Sequence, residues 1–439
     1  MTLVEGAETG GGPAAGSTAA EEAGPDRPLR RNRDFLLLWS GASLSFLAAR
    51  VTAVAYPLIV LWHTGSPLAM SVVSTAALLP LLLVQLPAGA LVDRWDRRRL
   101  MLVCEAGRLI VVGSVALALA AGRMTVAHLA AAALVEASLA VFYRLAERGA
   151  VRNLVHPAHL PTALAQNEAR GRAAGLLGQP GGVLLQAAAR WLPFAFGVFG
   201  YLVSALSLLL IHKDFQQECA DRTGRRRMTT EVAEGMRWVW RQRFLRAALG
   251  YVAGTNVLFQ MLALALILRI KEAGLPSATL AVVVGIGGVG GLCGALGGGR
   301  IQRRMRQRTL LIGGAVSWTL LIGAMGFTSE PVLLGALYAG TGFVGAVFNV
   351  GASVYQVSTT PDALQGRVAA MSGLIGSGTN ALGSSAAGLL LAAWGAESTV
   401  RAIAAAMALL ALFAVLAPDL KGEITNDGTD TGTDSATGG

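Results

Sequence analysis

Apolar runs of about twenty residues recur from residue 35 to residue 416, and they constrain this chain more than any other feature. A helix that crosses a hydrocarbon layer about 30 Å thick needs about 20 predominantly apolar residues. Lipid offers no partner to a backbone N–H or C=O, so each crossing segment must close its own hydrogen bonds, as an α-helix does. Twelve segments meet the length requirement: 35–62, 68–92, 100–121, 126–143, 164–187, 192–211, 249–270, 280–299, 309–327, 331–357, 368–393 and 400–416. Charged residues are only 14% of the 439, against 54% apolar. A water-soluble domain carries about 25% charged residues, so this chain has too little charge to coat a globule in water. The sequence predicts an all-α membrane protein with twelve transmembrane helices.

The formal net charge is +10, which raises the question of nucleic acid. The basic residues are confined to short connections between apolar runs, as membrane loops require, so no nucleic-acid partner is expected. One set of connections holds Arg30, Arg31 and Arg33, then Arg94 and Arg97 to Arg99, then Arg144, Arg148 and Arg152. It continues through Arg225 to Arg227, Arg237 to Arg246, and Arg300 to Arg308. The alternate connections hold little beyond Arg123, Arg190, Arg269, Lys271 and Arg401. This asymmetry places both termini and the central connection in the cytoplasm. The Arg-heavy, Ala- and Gly-rich composition points to a GC-rich bacterium, and hence to its plasma membrane.

The chain also repeats internally. Gly89-Ala-Leu-Val-Asp93-Arg94-Trp-Asp-Arg97 leaves the second span, and Gly298-Gly-Arg-Ile-Gln302-Arg303-Arg-Met-Arg306 leaves the eighth, from 89 to 298 a separation of 209 residues. Pro157-Ala-His-Leu160 before the fifth span has its counterpart in Pro361-Asp-Ala-Leu364 before the eleventh, from 157 to 361 a separation of 204. Duplicated halves related by an axis along the membrane normal are a known transporter plan. The expected organisation is a disordered cytoplasmic tail (1–30), a six-helix bundle (31–212), a cytoplasmic linker with an amphipathic helix (213–246), a second six-helix bundle (247–418) and a second tail (419–439).

Several patterns are set aside. Gly285-Ile-Gly287-Gly-Val-Gly290 matches a dinucleotide fingerprint, but no acid follows before Glu330, so the glycines are read as close helix packing. Asp427, Asp430 and Asp434 lack calcium-loop spacing. His156 and His159 have no further ligand nearby. Cys104 and Cys293 lie in apolar runs and, with Cys219, form no disulfide framework; the first two read as small buried thiols. No nucleophile–base constellation and no phosphate loop is present. No enzyme, cofactor or metal is expected, and energy must come from a gradient.

Gly89-x-Leu91-x-Asp93-Arg94-x-x-Arg97-Arg98 resembles the signature of the major facilitator superfamily, with Asp96 where Gly is usual. Ala55-Tyr-Pro57, Thr64-Gly-Ser-Pro67, Leu79-Pro80, Glu231 to Arg241 and Gln365-Gly-Arg367 resemble its macrolide-efflux and enterobactin-exporter branch. The resemblance spans about residues 31–416. It implies two pseudo-symmetric six-helix bundles and alternating access. It also implies a latch between the halves formed by Gly89, Asp93, Arg94, Arg97 and Arg367. Gly178, Pro180, Gly181 and Gly182 are similar to a helix-five exporter motif. The branch's Gly-Asp in the first span is replaced by Ala48-Ala49, which removes the usual proton-linked carboxylate.

That leaves Arg50 and Glu136 as the midspan charges of the first half. An intramembrane charge costs about 2.5–3.5 kcal/mol and is functional by default. An Arg50–Glu136 pair that separates as cargo binds could exchange a proton for cargo. Glu105 and Arg108 share a face of the third span and read as a local pair. Tyr56, Asn256, Gln260, Tyr338 and Asn349 supply sparse polarity for a mostly apolar cavity, which suits an amphipathic cargo. The expected function is proton-coupled export of a drug-, macrolide- or siderophore-like molecule by a monomer. A lysolipid flippase is a variant, and a transporter-fold sensor or scaffold is the alternative. The orientation is tested with Gly224→Cys in intact cells: an impermeant thiol reagent should fail to label it, and efficient labelling from outside would invert the topology.

Overall fold

The computed structural model describes residues 29, 32–92, 94–211, 237, 243–305, 307–360 and 362–416. Among them every extended element is helical and no strand occurs. We label the crossings α1 (Arg33–Thr64), α2 (Pro67–Leu83 with Gln85–Val92), α3 (Arg97–Ala120), α4 (Val126–Leu154), α5 (Leu160–Ala188) and α6 (Leu192–Leu209). The second series is α7 (Arg243–Glu272), α8 (Ala278–Arg304), α9 (Gln307–Met325) and α10 (Pro331–Thr359). Asp362–Leu416 supplies both α11 and α12, which part at Gly395 (φ 72°). A residue with a Cβ rarely adopts that left-handed conformation.

Among the described residues eight helices are long and apolar enough to cross a membrane, and the last of these, Met371–Leu416, contains two crossings. Pro67–Leu83 and Thr309–Met325 are shorter apolar helices. α5 falls short on composition, because its first half carries Gln166, Asn167, Glu168, Arg170 and Arg172. Several helices overrun the expected spans: α4 continues to Leu154, α8 to Arg304, and α7 starts at Arg243. Hydropathy marks the hydrocarbon thickness, whereas a helix closes its own hydrogen bonds and runs on into the basic loops. Local chemistry sets the starts. Asn32, Ser66, Asp96 and Thr125 cap α1, α2, α3 and α4 by accepting the N–H of Phe35, Ala69, Arg99 and His128.

Packing repeats between the halves. α1 packs on α5 and α6, α3 on α4 and α6, and α2 on α4. In the second half α7 packs on the α11–α12 segment, α9 on α10 and that same segment, and α8 on α10. Between halves, α2 meets the α11–α12 segment, α5 meets α8, and α1 meets α7. The α2–α11 seam includes the Thr75–Ser385 hydroxyl pair at 3.0 Å and Ser71 against Gly388. Beside it Lys271 of α7 donates to the Leu61 carbonyl of α1. Glu272 accepts the Ala396 N–H at the start of α12. These contacts sit at the end of the bundle away from the N-terminal start of α1.

Large apolar side chains face outward in stripes seven residues apart: Val103, Ile110 and Leu117 on α3, and Val282, Val289 and Leu296 on α8. Stripes of this kind on many helices are lipid-facing surface. Cys104 is buried as expected, whereas Cys293 is exposed; it lies on the outward side of α8 near Leu292 and Leu296. The glycines of α8 serve close packing. A Cβ on Gly290 would collide with the Ala339 carbonyl of α10, and one on Gly294 with that of Phe343. Gly290→Ala should therefore lower the melting temperature in detergent. Gly175→Ala, where nothing lies within 4 Å, should hold or raise it, since Ala is worth up to about 1 kcal/mol over Gly in a helix.

Candidate functional site

Two cavities lie on the inner faces of the helices, one in each half, and they differ in chemistry. The first, of about 180 Å³, is lined from α1, α2, α3 and α4, with Ser45, Arg50, Tyr56, Arg108, Glu136 and Arg144 on its wall. The second, of about 330 Å³, is lined by Asn256, Phe259, Trp318, Tyr338, Phe348 and Asn349 among others. One is charged; the other has no ionised side chain in its wall.

Glu136, on α4, is buried. Its carboxylate accepts from Thr52 Oγ1 at 2.7 Å, from Tyr56 OH at 2.7 Å, and from Tyr201 OH at 2.5 Å. α1 thus supplies two donors and α6 the third, an acceptor-and-donor set matched to a carboxylate. Tyr56 is held edge-on to Phe194, with ring centroids 5.0 Å apart. The Tyr201 ring also carries a cation: the Arg108 guanidinium of α3 lies over it, 3.9 Å from the centroid. Arg108 donates to Ser45 at 2.9 Å and to Glu105 at 3.4 Å. Glu105 in turn accepts from Ser204 at 2.8 Å, and Tyr143 shares a hydrogen bond with Ser204 at 3.1 Å. Below this chain Arg170 of α5 pairs with Glu147 of α4 at 2.6 Å.

The expected Arg50–Glu136 pair is not formed. Arg50 stacks on Phe46, 5.2 Å from the ring centroid, and no carboxylate among the described residues lies within ion-pair distance of it. Tyr56, Thr52 and Tyr201 hold the Glu136 oxygens instead, taking three of the about four acceptor sites of a carboxylate. The local Glu105–Arg108 pair does form, but Tyr201 and Ser204 extend it to Glu136 and α6, so it belongs to the cavity. Gln260 is not brought to the second cavity; its Cβ lies beside Gly383 of α11. Asn256, Tyr338 and Asn349 do line it.

Gly178 and Gly182 are where α5 crosses α1. A Cβ on Gly178 would strike the Arg50 Cβ, and one on Gly182 the Val51 carbonyl and Val54. Pro180 lies inside α5, and Gly181 faces open space. Of the latch residues, Asp93 lies outside the described residues, as does the side chain of Arg367. Gly89 lies in the last turn of α2, Arg94 just past its end is exposed, and Arg97 donates to the Gly149 carbonyl of α4 at 3.2 Å.

Sequence reasoning missed Thr52, Tyr201, Ser204, Trp318 and Phe348. The aromatic wall is built by Trp318, set at 5.0 Å from Phe259 and 5.6 Å from Phe348 and fixed by its Nε1–H bond to the Thr341 carbonyl. An aromatic residue in an apolar span gives no periodic signal that it faces a cavity. Tyr201 did have a spatial cue, the unpaired midspan acid opposite it, but only the fold brings the two together.

Twelve helices in two repeating halves, with ionised groups turned onto an internal cavity, define a membrane transporter of the major facilitator class. The chain belongs to the transmembrane secretion effector family, which it matches over residues 23–427. It is 29% identical over 391 residues to the multidrug efflux pump Tap of Mycolicibacterium fortuitum, covering 84% of this chain and 92% of that protein. It is 25% identical over 365 residues to an uncharacterised transporter, YfiS, of Bacillus subtilis, covering 78% and 83%. The nucleoside transporter NupG shares its fold at a TM-score of 0.69 and 13% identity, over 89% of this chain and 100% of that one. So does a bacterial homologue of the human lysosomal transporter Spinster in an inward-facing, occupied conformation, at 0.69 and 14%, over 89% and 97%.

The two roles of Tyr201 can be separated. Tyr201→Phe keeps the ring under Arg108 but deletes a donor to Glu136, and should cost about 1–3 kcal/mol. Tyr201→Leu also removes the ring and should cost more. Thermal unfolding of both purified variants checks the order.

Proposed function

We propose that this chain exports a small amphipathic molecule from the cytoplasm by alternating access, with Glu136 as the group through which protons act on transport. The observation that carries the reading is Glu136 itself. It is a buried acid on a cavity wall, held by hydroxyls from two other helices rather than neutralised by a local ion pair. A purely structural role does not require an acid there, since an intramembrane charge is costly. Protonation would remove the charge that strengthens these three bonds and so loosen the hold of α1 and α6 on α4.

The groups around Glu136 set what protonation changes. α1 presents Tyr56 and, farther along, Arg50; α3 presents Arg108 and Glu105; α6 presents Tyr201. α4 adds Tyr143, Arg144 and Glu147, and α2 contributes only apolar Ala77 and Leu81 to the cavity wall. Neutralising Glu136 shifts the balance of this set toward positive.

In this reading residues 31–212 and 247–418 are the moving halves, both termini are cytoplasmic, and the unit is a monomer. The α2–α11 and α1–α7 contacts then form the outer gate. The Asp93, Arg97 and Arg367 region is the inner latch. Similarity to a multidrug efflux pump favours export over sensing. Glu136→Gln in proteoliposomes should abolish the response of naphthyl-dye export to an imposed pH gradient while dye binding is retained. An unchanged response would remove Glu136 as the proton site. Wild-type protein that binds dye but never moves it would favour the sensor reading.

A further inference from the structure

The charges of the first half do not balance pairwise, and the imbalance is localised. Glu105 is committed to Arg108 and Ser204. Glu147 is committed to Arg170 at 2.6 Å. Glu136 accepts from three hydroxyls and makes no ion pair among the described residues. Arg50 and Arg144 remain, both on the wall of the same cavity, with no carboxylate among the described residues at ion-pair distance from either. Arg50, Arg148 and Arg108 all act as like charges on Arg144, and Glu147, already committed to Arg170, offsets part of that repulsion.

Arg50 is exposed and Arg144 half-buried, so both guanidiniums reach the open cavity, where they repel each other and neither has a direct ion pair among the described residues. Orientation of the chain does not explain them. Arg148 and Arg152 already lie beyond Arg144 at that end of α4, and Arg50 is midway along α1. A guanidinium presents a planar fork of donors that matches a carboxylate, sulfonate or phosphate. We propose that Arg50 and Arg144 form the binding site for an anionic group of this kind on the molecule being transported. The second cavity fits the remainder of such a molecule: Phe259, Trp318 and Phe348 offer an uncharged aromatic wall. The cargo is thus an amphipathic anion with an apolar, ring-bearing portion. This inference rests on the export reading above. It also fixes a sign, because removing the negative charge of Glu136 strengthens the hold on an anion.

The test uses two soluble probes of nearly the same shape, the anionic 2-naphthalenesulfonate and the neutral 2-naphthalenesulfonamide, titrated calorimetrically into the full chain in uncharged maltoside micelles. The wild type should prefer the sulfonate. Arg50→Gln and Arg144→Gln should each weaken sulfonate binding by at least about tenfold, as the loss of a charge-assisted hydrogen bond demands. Sulfonamide binding should fall far less, because the neutral group loses only an ordinary hydrogen bond, and its retention certifies the fold of each variant. Arg50→Lys should retain part of the preference, and Glu136→Gln should enhance it. Adding phosphatidylglycerol to the micelles distinguishes sources of the anion. Competition with the sulfonate supports an anion site that lipid headgroups also enter, and lack of competition supports one reserved for soluble cargo. Equal affinity of the wild type for both probes, or equal loss of both in the arginine variants, overturns the proposal. So does absence of binding by either probe in protein that still exports an uncharged naphthyl dye. Loss of that dye export in the wild type would instead sink the export reading.

Discussion

A charge inside a bilayer must be given its partners by the protein, because the lipid has none to give. The first half of this transporter is organised by that requirement. Glu136 can be satisfied only if α1 and α6 bring three hydroxyls to α4 at the same depth. Tyr201 can serve it only while its ring lies under Arg108 of α3. Glu105 holds Arg108 and is itself held by α6 through Ser204. Four helices are thus fixed in mutual register by one connected network. Disturbing any member leaves a buried polar group without a partner, which is where such networks are costly.

The second half solves the packing problem by another route. Its described interior holds no comparable charge network. There the tight contact is backbone on backbone, where Gly290 and Gly294 of α8 let α10 approach until side chains would collide. Small residues at helix crossings are the usual means of association where the hydrophobic effect contributes little between helices. The room saved at the crossing is given to aromatic side chains on the cavity side. One sequence duplication therefore carries two kinds of interior, an ionic one and an aromatic one. The α5–α1 crossing at Gly178 and Gly182 shows that the first half uses glycine too, at the very level of Arg50.

Much of this was legible in the sequence, for definite reasons. All twelve crossings announce themselves by apolar length, α5 among them, although the polar first half of that helix leaves it below the composition of the other spans. Glu136, Arg50, Tyr56, Asn256, Tyr338 and Asn349 reach cavities because polar residues in a span must turn inward. Pairing was not legible. Opposite midspan charges suggest a bond, yet neutral hydroxyls compete for the same oxygens, and a one-dimensional reading cannot count them. Gln260 shows the same limit, since it lies one turn beyond Asn256 and falls against α11 instead. Cys293 sits in an apolar run that faces outward, which composition alone does not distinguish from a core.

The unequal share of charge between the halves has a consequence in the electric field of the membrane. With its carboxylates ionised, the network of Arg50, Arg108, Arg144 and Arg170 against Glu105, Glu136 and Glu147 carries an excess of one positive charge. The wall of the second half's cavity carries none. Rocking such a protein moves that excess through part of the voltage drop, and a full traverse is worth about 2.3 kcal/mol per charge at 100 mV. In the anion-export reading proposed above, an empty carrier is pulled toward the negative inner face, while one neutralised by a bound anion feels no such pull. The resting potential thereby acts on the return stroke and sets a direction for the cycle without any change in the contacts that hold the fold together.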